Sequence, residues 1–88
     1  GFALWDYLMD NIIKKDYGRL ADIAYFYWRM TDESDQYIYQ RPEVFKKWFQ
    51  RTYGEELGQF ATLSKVRTET RDRDYSVALE WHKKLKHT

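Results

Sequence analysis

The side chains that could do metal or acid–base chemistry are few in this 88-residue chain, and they are poorly grouped. The two histidines, His82 and His87, lie five positions apart near the C-terminus, whereas metal-binding pairs on a helix favour i, i+4 spacing. This spacing favours a solvated tail over a metal site. The chain has no cysteine, so it has no thiolate nucleophile, no disulfide framework and no cysteine-based zinc site.

Three carboxylates cluster in one polar segment, but their spacing does not match a calcium loop. Asp32, Glu33 and Asp35 lack the alternate spacing, the internal glycine and the final glutamate of such loops. Two interpretations stay open: a solvated loop that caps helices, or an acidic docking patch for a basic partner. The sequence also has no Ser-His-Asp order, no glycine-rich phosphate loop and no His-Glu-x-x-His motif. We therefore predict a protein that is not an enzyme and uses no cofactor.

The elements that hold these residues must be built around aromatic rings, which make up 19% of the chain. Each buried ring removes ~150–250 Å² from water, so a chain this short can form a core without disulfides. We expect a single helical domain over 1–88. The net charge of +1 argues against a dedicated polyelectrolyte binder. The lack of cysteine and of a long apolar run favours a cytoplasmic protein with no membrane partner.

Apolar periodicity predicts an all-α fold, a compact bundle of four to five short helices. The first two helices are expected at about 2–14 and 17–30, with Asp16 as the N-cap of the second. Pro42 and Gly54 mark the start and the end of a third helix. A fourth helix is expected at 55–64. Rings that fit these helical stripes are assigned to the core: Trp5, Phe45, Trp48, Phe49 and Phe60.

The last third of the chain allows two interpretations. Alternating apolar residues near its end favour a strand, whereas strong helix formers such as Leu79 and Leu85 favour a helix, which we prefer. The alternative is a winged-helix-like α+β fold, with three helices and a C-terminal hairpin at about 60–81. The third helix would then enter a DNA groove.

Three short motifs in the first third of the chain carry a family resemblance. They are Trp5-Asp-Tyr-Leu-Met9, Lys15-Asp16 and Leu20-Ala21-Asp-Ile-Ala24-Tyr25. Together they resemble the opening of the YozE-like family, small bacterial proteins with a helical fold similar to the sterile alpha motif. The family's Phe-Pro step after the second helix is replaced here by Phe26-Tyr-Trp-Arg-Met30. The resemblance implies a helical bundle in a bacterial cytoplasm, and it carries over no functional residue.

Two surfaces are candidates for function. The first is a protein-binding surface around the central loop, because Tyr, Trp and Arg are enriched at interface hot spots. Its residues would be Trp28, Asp32, Glu33, Asp35, Tyr37, Tyr39 and Arg41. The second is a basic face that contacts DNA phosphates. Its residues would be Lys46, Lys47, Arg51, Arg67, Arg71 and Arg73.

We prefer the first hypothesis, a small protein-interaction module of bacterial or phage origin that works through its surface. The alternative hypothesis is a DNA-binding regulatory protein. Acidic residues interrupt the second basic group, and the third helix offers little besides Gln50 and Arg51 to read base edges.

Overall fold

The computed structural model describes residues 2–32 and 36–86, and that part of the chain contains five helices and no strand. The helices are α1 Phe2–Asn11, α2 Arg19–Met30, α3 Pro42–Tyr53, α4 Leu63–Val66 and α5 Glu69–Lys86. The predicted all-α bundle is confirmed. The hairpin predicted as the alternative at 60–81 is wrong, because α5 is one continuous helix of 18 residues.

Glycine and proline set the ends of two helices. Gly18 precedes α2 with φ of 85°, a left-handed conformation that glycine adopts without strain. The N-cap predicted at Asp16 is therefore wrong by two residues, although the Asp16 carbonyl accepts a bond from the N–H of Arg19 at 3.1 Å. Pro42 in the first turn of α3 and the left-handed Gly54 after its last residue confirm the predicted ends of that helix.

The helix predicted at 55–64 is wrong, since residues 54–62 have no regular secondary structure and only Leu63–Val66 forms a short turn of helix. Side-chain contacts hold this connection against α2 instead. Glu55 pairs with Arg19 at 2.9 Å, and the indole N–H of Trp28 donates to the Ala61 carbonyl at 2.8 Å. These long-range contacts outweigh the weak helical preference of a glycine-containing segment.

Helix α2 forms the centre of the molecule. Six successive residues, 22–27, are buried, which is the pattern of a helix enclosed on all sides. Helices α4 and α5 pack against α2, and α1 packs against α5. On the α3 side, Trp5 meets the rings of Phe45 and Phe49 edge-on, with centroids 5.1 and 6.3 Å apart. The aromatic core that positions the site is thus shared among α1, α2 and α3.

Within the described ranges, none of the helices combines the length and the apolar character that crossing a lipid bilayer requires.

Candidate functional site: an aromatic groove

An apolar groove with a volume of about 230 Å³ opens between α1, α3 and the segment that precedes α3. We call it the aromatic groove. Its lining residues are Trp5, Tyr37, Ile38, Tyr39, Gln40, Phe45 and Trp48. Five of these seven residues are aromatic, and none is an acid, a base or a histidine.

Two helices supply one wall of the groove. Trp5 comes from α1 and is almost fully buried, although it lines the groove. Phe45 and Trp48 come from α3, where i, i+3 spacing puts both on one side of the helix with centroids 5.5 Å apart. Tyr53 then packs at a right angle to Trp48 at 5.9 Å. Each ring of this wall therefore packs against at least one other ring.

Tyr53 and Asp6 join α3 to α1 just outside the groove. The Tyr53 hydroxyl donates to the Asp6 carboxylate at 3.2 Å. Burial, and then the negative charge of Asp6, raise the pKa of Tyr53 to about 12. The tyrosine is therefore a neutral donor at physiological pH.

The opposite wall is the non-helical segment 37–40, which hydrogen bonds hold at both ends. The N–H groups of Tyr37 and Ile38 both donate to the Met30 carbonyl at the end of α2, at 2.8 and 2.9 Å. The Tyr27 hydroxyl donates to the Gln40 carbonyl at 2.7 Å. Burial is the first cause that raises the pKa of Tyr27, so this donor stays protonated at neutral pH.

Tyr39 lies between these fixed points and differs from its neighbours. Its side chain lines the groove although the residue is 78% exposed. Within the described part of the chain, neither its backbone N–H nor its carbonyl makes a hydrogen bond. Segment 37–40 thus presents one open pair of backbone groups beside an apolar groove.

Basic side chains follow the groove along α3. Arg41 comes directly after Gln40 and is the N-cap residue of α3. Arg41, Lys47 and Arg51 are exposed, and none forms an ion pair with a described residue. Arg41 is therefore a cation beside segment 37–40 that the described residues leave without an ion pair, while Asp6 lies on the α1 side of the groove.

The structure separates the residues that the sequence assigned to a protein-binding surface. Tyr37 and Tyr39 line the groove and Arg41 follows it. Trp28 is elsewhere: its ring packs on Phe60 at 6.5 Å, and its N–H bonds to the α3–α4 connection. Asp32 is exposed. The other two acids of that set, Glu33 and Asp35, lie outside the described residues.

The prediction of a solvated histidine tail is wrong for His82, which is 6% exposed. Its ring meets Tyr37 edge-on at 5.3 Å and lies 6.4 Å from Trp81. The histidine therefore supports the groove wall from behind, because α5 carries it inward on the face that also buries Tyr75 and Ala78. His87 lies outside the described residues.

The predicted DNA-binding residues are divided by internal contacts. Arg71 pairs with the buried Asp22 at 2.8 Å, and Arg67 pairs with Asp72 at 3.3 Å. Lys46 lies over the Phe60 ring at 4.7 Å. The three remaining residues of the set, Lys47, Arg51 and Arg73, are exposed and have no ion pair among the described residues.

The paired charges belong to what we call the polar cluster, between α2 and the start of α5. Its residues are Asp22, Tyr25, Arg29, Arg67, Arg71 and Asp72. The Tyr25 hydroxyl donates to the Asp72 carboxylate and accepts a bond from Arg29 at 2.7 Å.

The pKa shifts in the polar cluster follow from those bonds. The hydrogen bond from Tyr25, followed by Arg67, lowers the pKa of Asp72. Burial first, and then the bond to Asp72, raise the pKa of Tyr25 to about 12.

The sequence missed five residues of the groove. Trp5, Phe45 and Trp48 were assigned to the core, while Ile38 and Gln40 were not singled out. One available signal was Tyr37-Ile38-Tyr39, three large apolar residues in succession just before the turn at Pro42. Whether a ring on α3 faces the core or a groove depends on how α3 sits against α1, which periodicity does not determine.

The described residues contain no group of three or more His, Asp or Glu side chains placed to hold a metal ion. No protein-family model, curated protein or solved structure matches this chain. The resemblance of its first third to the YozE-like family stays a prediction.

Proposed function

We propose that this chain is a small protein-interaction module whose aromatic groove holds an apolar side chain of a protein partner. The observation that carries the proposal is the groove itself, which leaves Tyr39 exposed and Trp48 half-exposed beside Arg41, an arginine with no ion pair among the described residues. Tryptophan, tyrosine and arginine are the residues most enriched in the energetic centres of protein interfaces.

The size of the groove favours a side chain over a whole small molecule. Small-molecule sites usually measure ~300–1,000 Å³, and the aromatic groove measures about 230 Å³. One leucine, phenylalanine or tryptophan side chain of a partner is the kind of group that such a volume suits. The described lining offers rings, two tyrosine hydroxyls and an amide but no carboxylate, ammonium or imidazole, which supports binding without catalysis.

Nuclear magnetic resonance spectra can test the proposal with indole and 4-methylphenol as apolar probes. The chain has four tryptophans, and two of them, Trp5 and Trp48, line the groove, whereas Trp28 and Trp81 do not. We expect saturable shifts of the indole N–H signals of Trp5 and Trp48. The signals of Trp28 and Trp81 serve as an internal control and should stay in place. Equal shifts at all four positions, or none at any, would contradict the proposal.

The DNA-binding alternative has a separate test in titrations with duplex DNA across a salt series. Phosphate contacts give an affinity that falls steeply with salt. Because internal contacts hold Arg67, Arg71 and Lys46, we expect no such binding at low salt. Steep salt-dependent binding that disappears in a Lys47→Gln, Arg51→Gln double variant would favour a DNA-binding regulator instead.

The proposed module acts in the cytoplasm, a placement that rests on its cysteine-free sequence.

A further inference from the structure

We propose that the partner segment binds as an extended chain whose backbone pairs with Tyr39, while its apolar side chain enters the aromatic groove and an adjacent carboxylate meets Arg41. This inference rests on the proposed function, since it specifies how the same groove recognises its partner.

The open backbone of Tyr39 is the first observation. Its N–H and carbonyl make no hydrogen bond within the described residues, and the residue is 78% exposed. The neighbours on both sides are fixed, Ile38 by the Met30 carbonyl and Gln40 by the Tyr27 hydroxyl. The open groups are therefore held in place before any partner arrives, which lowers the entropy lost on binding.

This arrangement favours an extended partner over a helical one. In sheet pairing, the N–H and the carbonyl of one residue both bond to the neighbouring chain. Addition of such a chain to an open edge gives affinity through the backbone and specificity through side-chain pockets. A helix satisfies its own backbone groups internally and would leave those of Tyr39 unpaired.

Arg41 is the second observation, and it gives the partner its charge. The groove lining is uncharged, but Arg41 follows the last lining residue of segment 37–40, is exposed and has no ion pair among the described residues. Helix α3 also carries Glu43 and α1 carries Asp6 and Asp10, so the preference for a carboxylate rests on Arg41 itself. A carboxylate one or two positions from the apolar anchor of the partner can form a charge-assisted hydrogen bond with Arg41.

A peptide array tests this mode of binding. Its members are acetylated and amidated heptapeptides with Trp, Leu or Ala at the centre and Asp, Lys or Ser at the two positions on either side. We expect binding by members that combine a central Trp or Leu with a neighbouring Asp, and no binding by members with a central Ala. The best member is then N-methylated at one backbone nitrogen at a time. We expect methylation at one of these nitrogens to weaken binding about tenfold, because the N–H that it removes donates to the Tyr39 carbonyl.

Two pairs of protein variants locate the contacts. Tyr39→Pro removes the N–H as well as the ring, whereas Tyr39→Ala removes the ring alone, so Tyr39→Pro should bind the same peptide several-fold more weakly than Tyr39→Ala. Arg41→Gln should abolish the preference for Asp over Ser in the peptide. Arg73→Gln is the matched control, because Arg73 is an exposed arginine on α5 that forms no ion pair with a described residue.

The outcomes separate this inference from the proposed function. Peptides that bind through a central Trp, but that tolerate N-methylation at every position, would leave the module intact and overturn the extended mode. Failure of every peptide and of both apolar probes would overturn the proposed function as well. Self-association of the chain, with Tyr39 signals that shift with protein concentration, would mean that a second copy covers the groove, and would also overturn the inference.

Discussion

The polar cluster and the aromatic groove differ in how their tyrosine and arginine side chains are used. In the polar cluster, each charge meets an opposite charge or a tyrosine hydroxyl, and Asp22 is almost fully buried. Around the aromatic groove, rings remain open to solvent and the arginines have no ion pair with a described residue. The groove lining is mostly aromatic and the polar cluster is mostly charged, but tyrosine and arginine occur in or beside both.

Paired side chains stabilise the fold, whereas exposed groups without a partner are the candidates for recognition. Arg71 pairs with Asp22 and so holds α5 against α2. A basic residue with such an internal partner is weak evidence for a ligand-binding surface. By contrast, the backbone N–H and carbonyl of Tyr39 make no hydrogen bond with a described residue, so no described contact gives them a role in stability. We therefore assign stability to the polar cluster and recognition to the groove, and the predictions below test that division.

Phe49→Ala should cause the largest loss of stability, and the same substitution at its neighbour Trp48 is the comparison. Phe49 is fully buried, whereas its neighbour Trp48 is half-buried at the groove. Phe49→Ala should lower the free energy of unfolding by about 3–5 kcal/mol, because it leaves a cavity in the core. Trp48→Ala should lower it by roughly 1–2 kcal/mol, since only part of that ring is removed from water. Urea titrations followed by circular dichroism measure both. Equal losses of free energy in the two variants would show that Trp48 is a core residue. The assignment of Trp48 to the wall of the groove would then be wrong.

Asp22→Ala should have the next largest effect, a loss of about 3 kcal/mol in the free energy of unfolding. The Asp22 carboxylate binds Arg71 at 2.8 Å and the Lys14 N–H at 3.0 Å, and its removal leaves a largely buried guanidinium without its counter-charge. Asp16→Ala is the matched control, because Asp16 is exposed and its side chain has no described partner. A loss of the same size in both variants would show that the pair does not stabilise the fold.

The sequence predicts much of the fold because two kinds of signal are local. Pro42 and Gly54 mark the ends of α3 through their own backbone preferences, and the apolar stripe of α1 follows helical spacing. The connection at 54–62 was predicted wrongly because contacts to Arg19 and Trp28, distant in sequence, decide its conformation.

The site was harder to predict than the fold, because burial and pairing are properties of the assembled molecule. Tyr37 and Tyr39 are the same residue type, and the folded chain distinguishes them: Tyr37 packs against His82 and bonds through its N–H to Met30, whereas Tyr39 is exposed. Arg71 and Arg73 are two positions apart on one helix, yet one is internal and paired while the other is exposed. Sequence spacing alone does not predict which tyrosine, or which arginine, is exposed.

Tyr25→Phe should cost about 1.5 kcal/mol at neutral pH, because the hydroxyl bonds to two charged groups of the polar cluster. It should also flatten the acid dependence of stability. The folded-state pKa of Asp72 is lowered, first by Tyr25, so its contribution is present above the ordinary carboxyl pKa and is lost as pH falls through the folded value. Removal of the hydroxyl moves that pKa back up, so less stability is lost on acidification below about pH 4. If stability depended on acidic pH in the same way in both proteins, the hydrogen bond between Tyr25 and Asp72 would be contradicted.

Tyr25 should also make the stability of the fold decrease at alkaline pH. Its folded-state pKa of about 12 lies above the ordinary 10.0, so the stability that it contributes is present below pH 10 and is lost as pH rises toward 12. Tyr53, near the groove, has the same raised value. Tyr25→Phe should therefore reduce the alkaline loss of stability without abolishing it, which denaturant titrations between pH 9 and 12 can measure. A variant with no alkaline loss at all would assign the whole effect to Tyr25.

The smallest expected effect on stability belongs to the residue that matters most for binding. Tyr39→Ser should change the free energy of unfolding by less than about 0.5 kcal/mol, because the ring is exposed and the backbone groups stay in place. Tyr37→Ser should cost about 1–2 kcal/mol, since it withdraws a half-buried ring from His82. Both variants should weaken the response of Trp48 to indole, but only Tyr39→Ser should do so in a protein as stable as the parent chain. A stability loss at Tyr39 as large as that at Tyr37 would make segment 37–40 part of the core and end the contrast between the two regions.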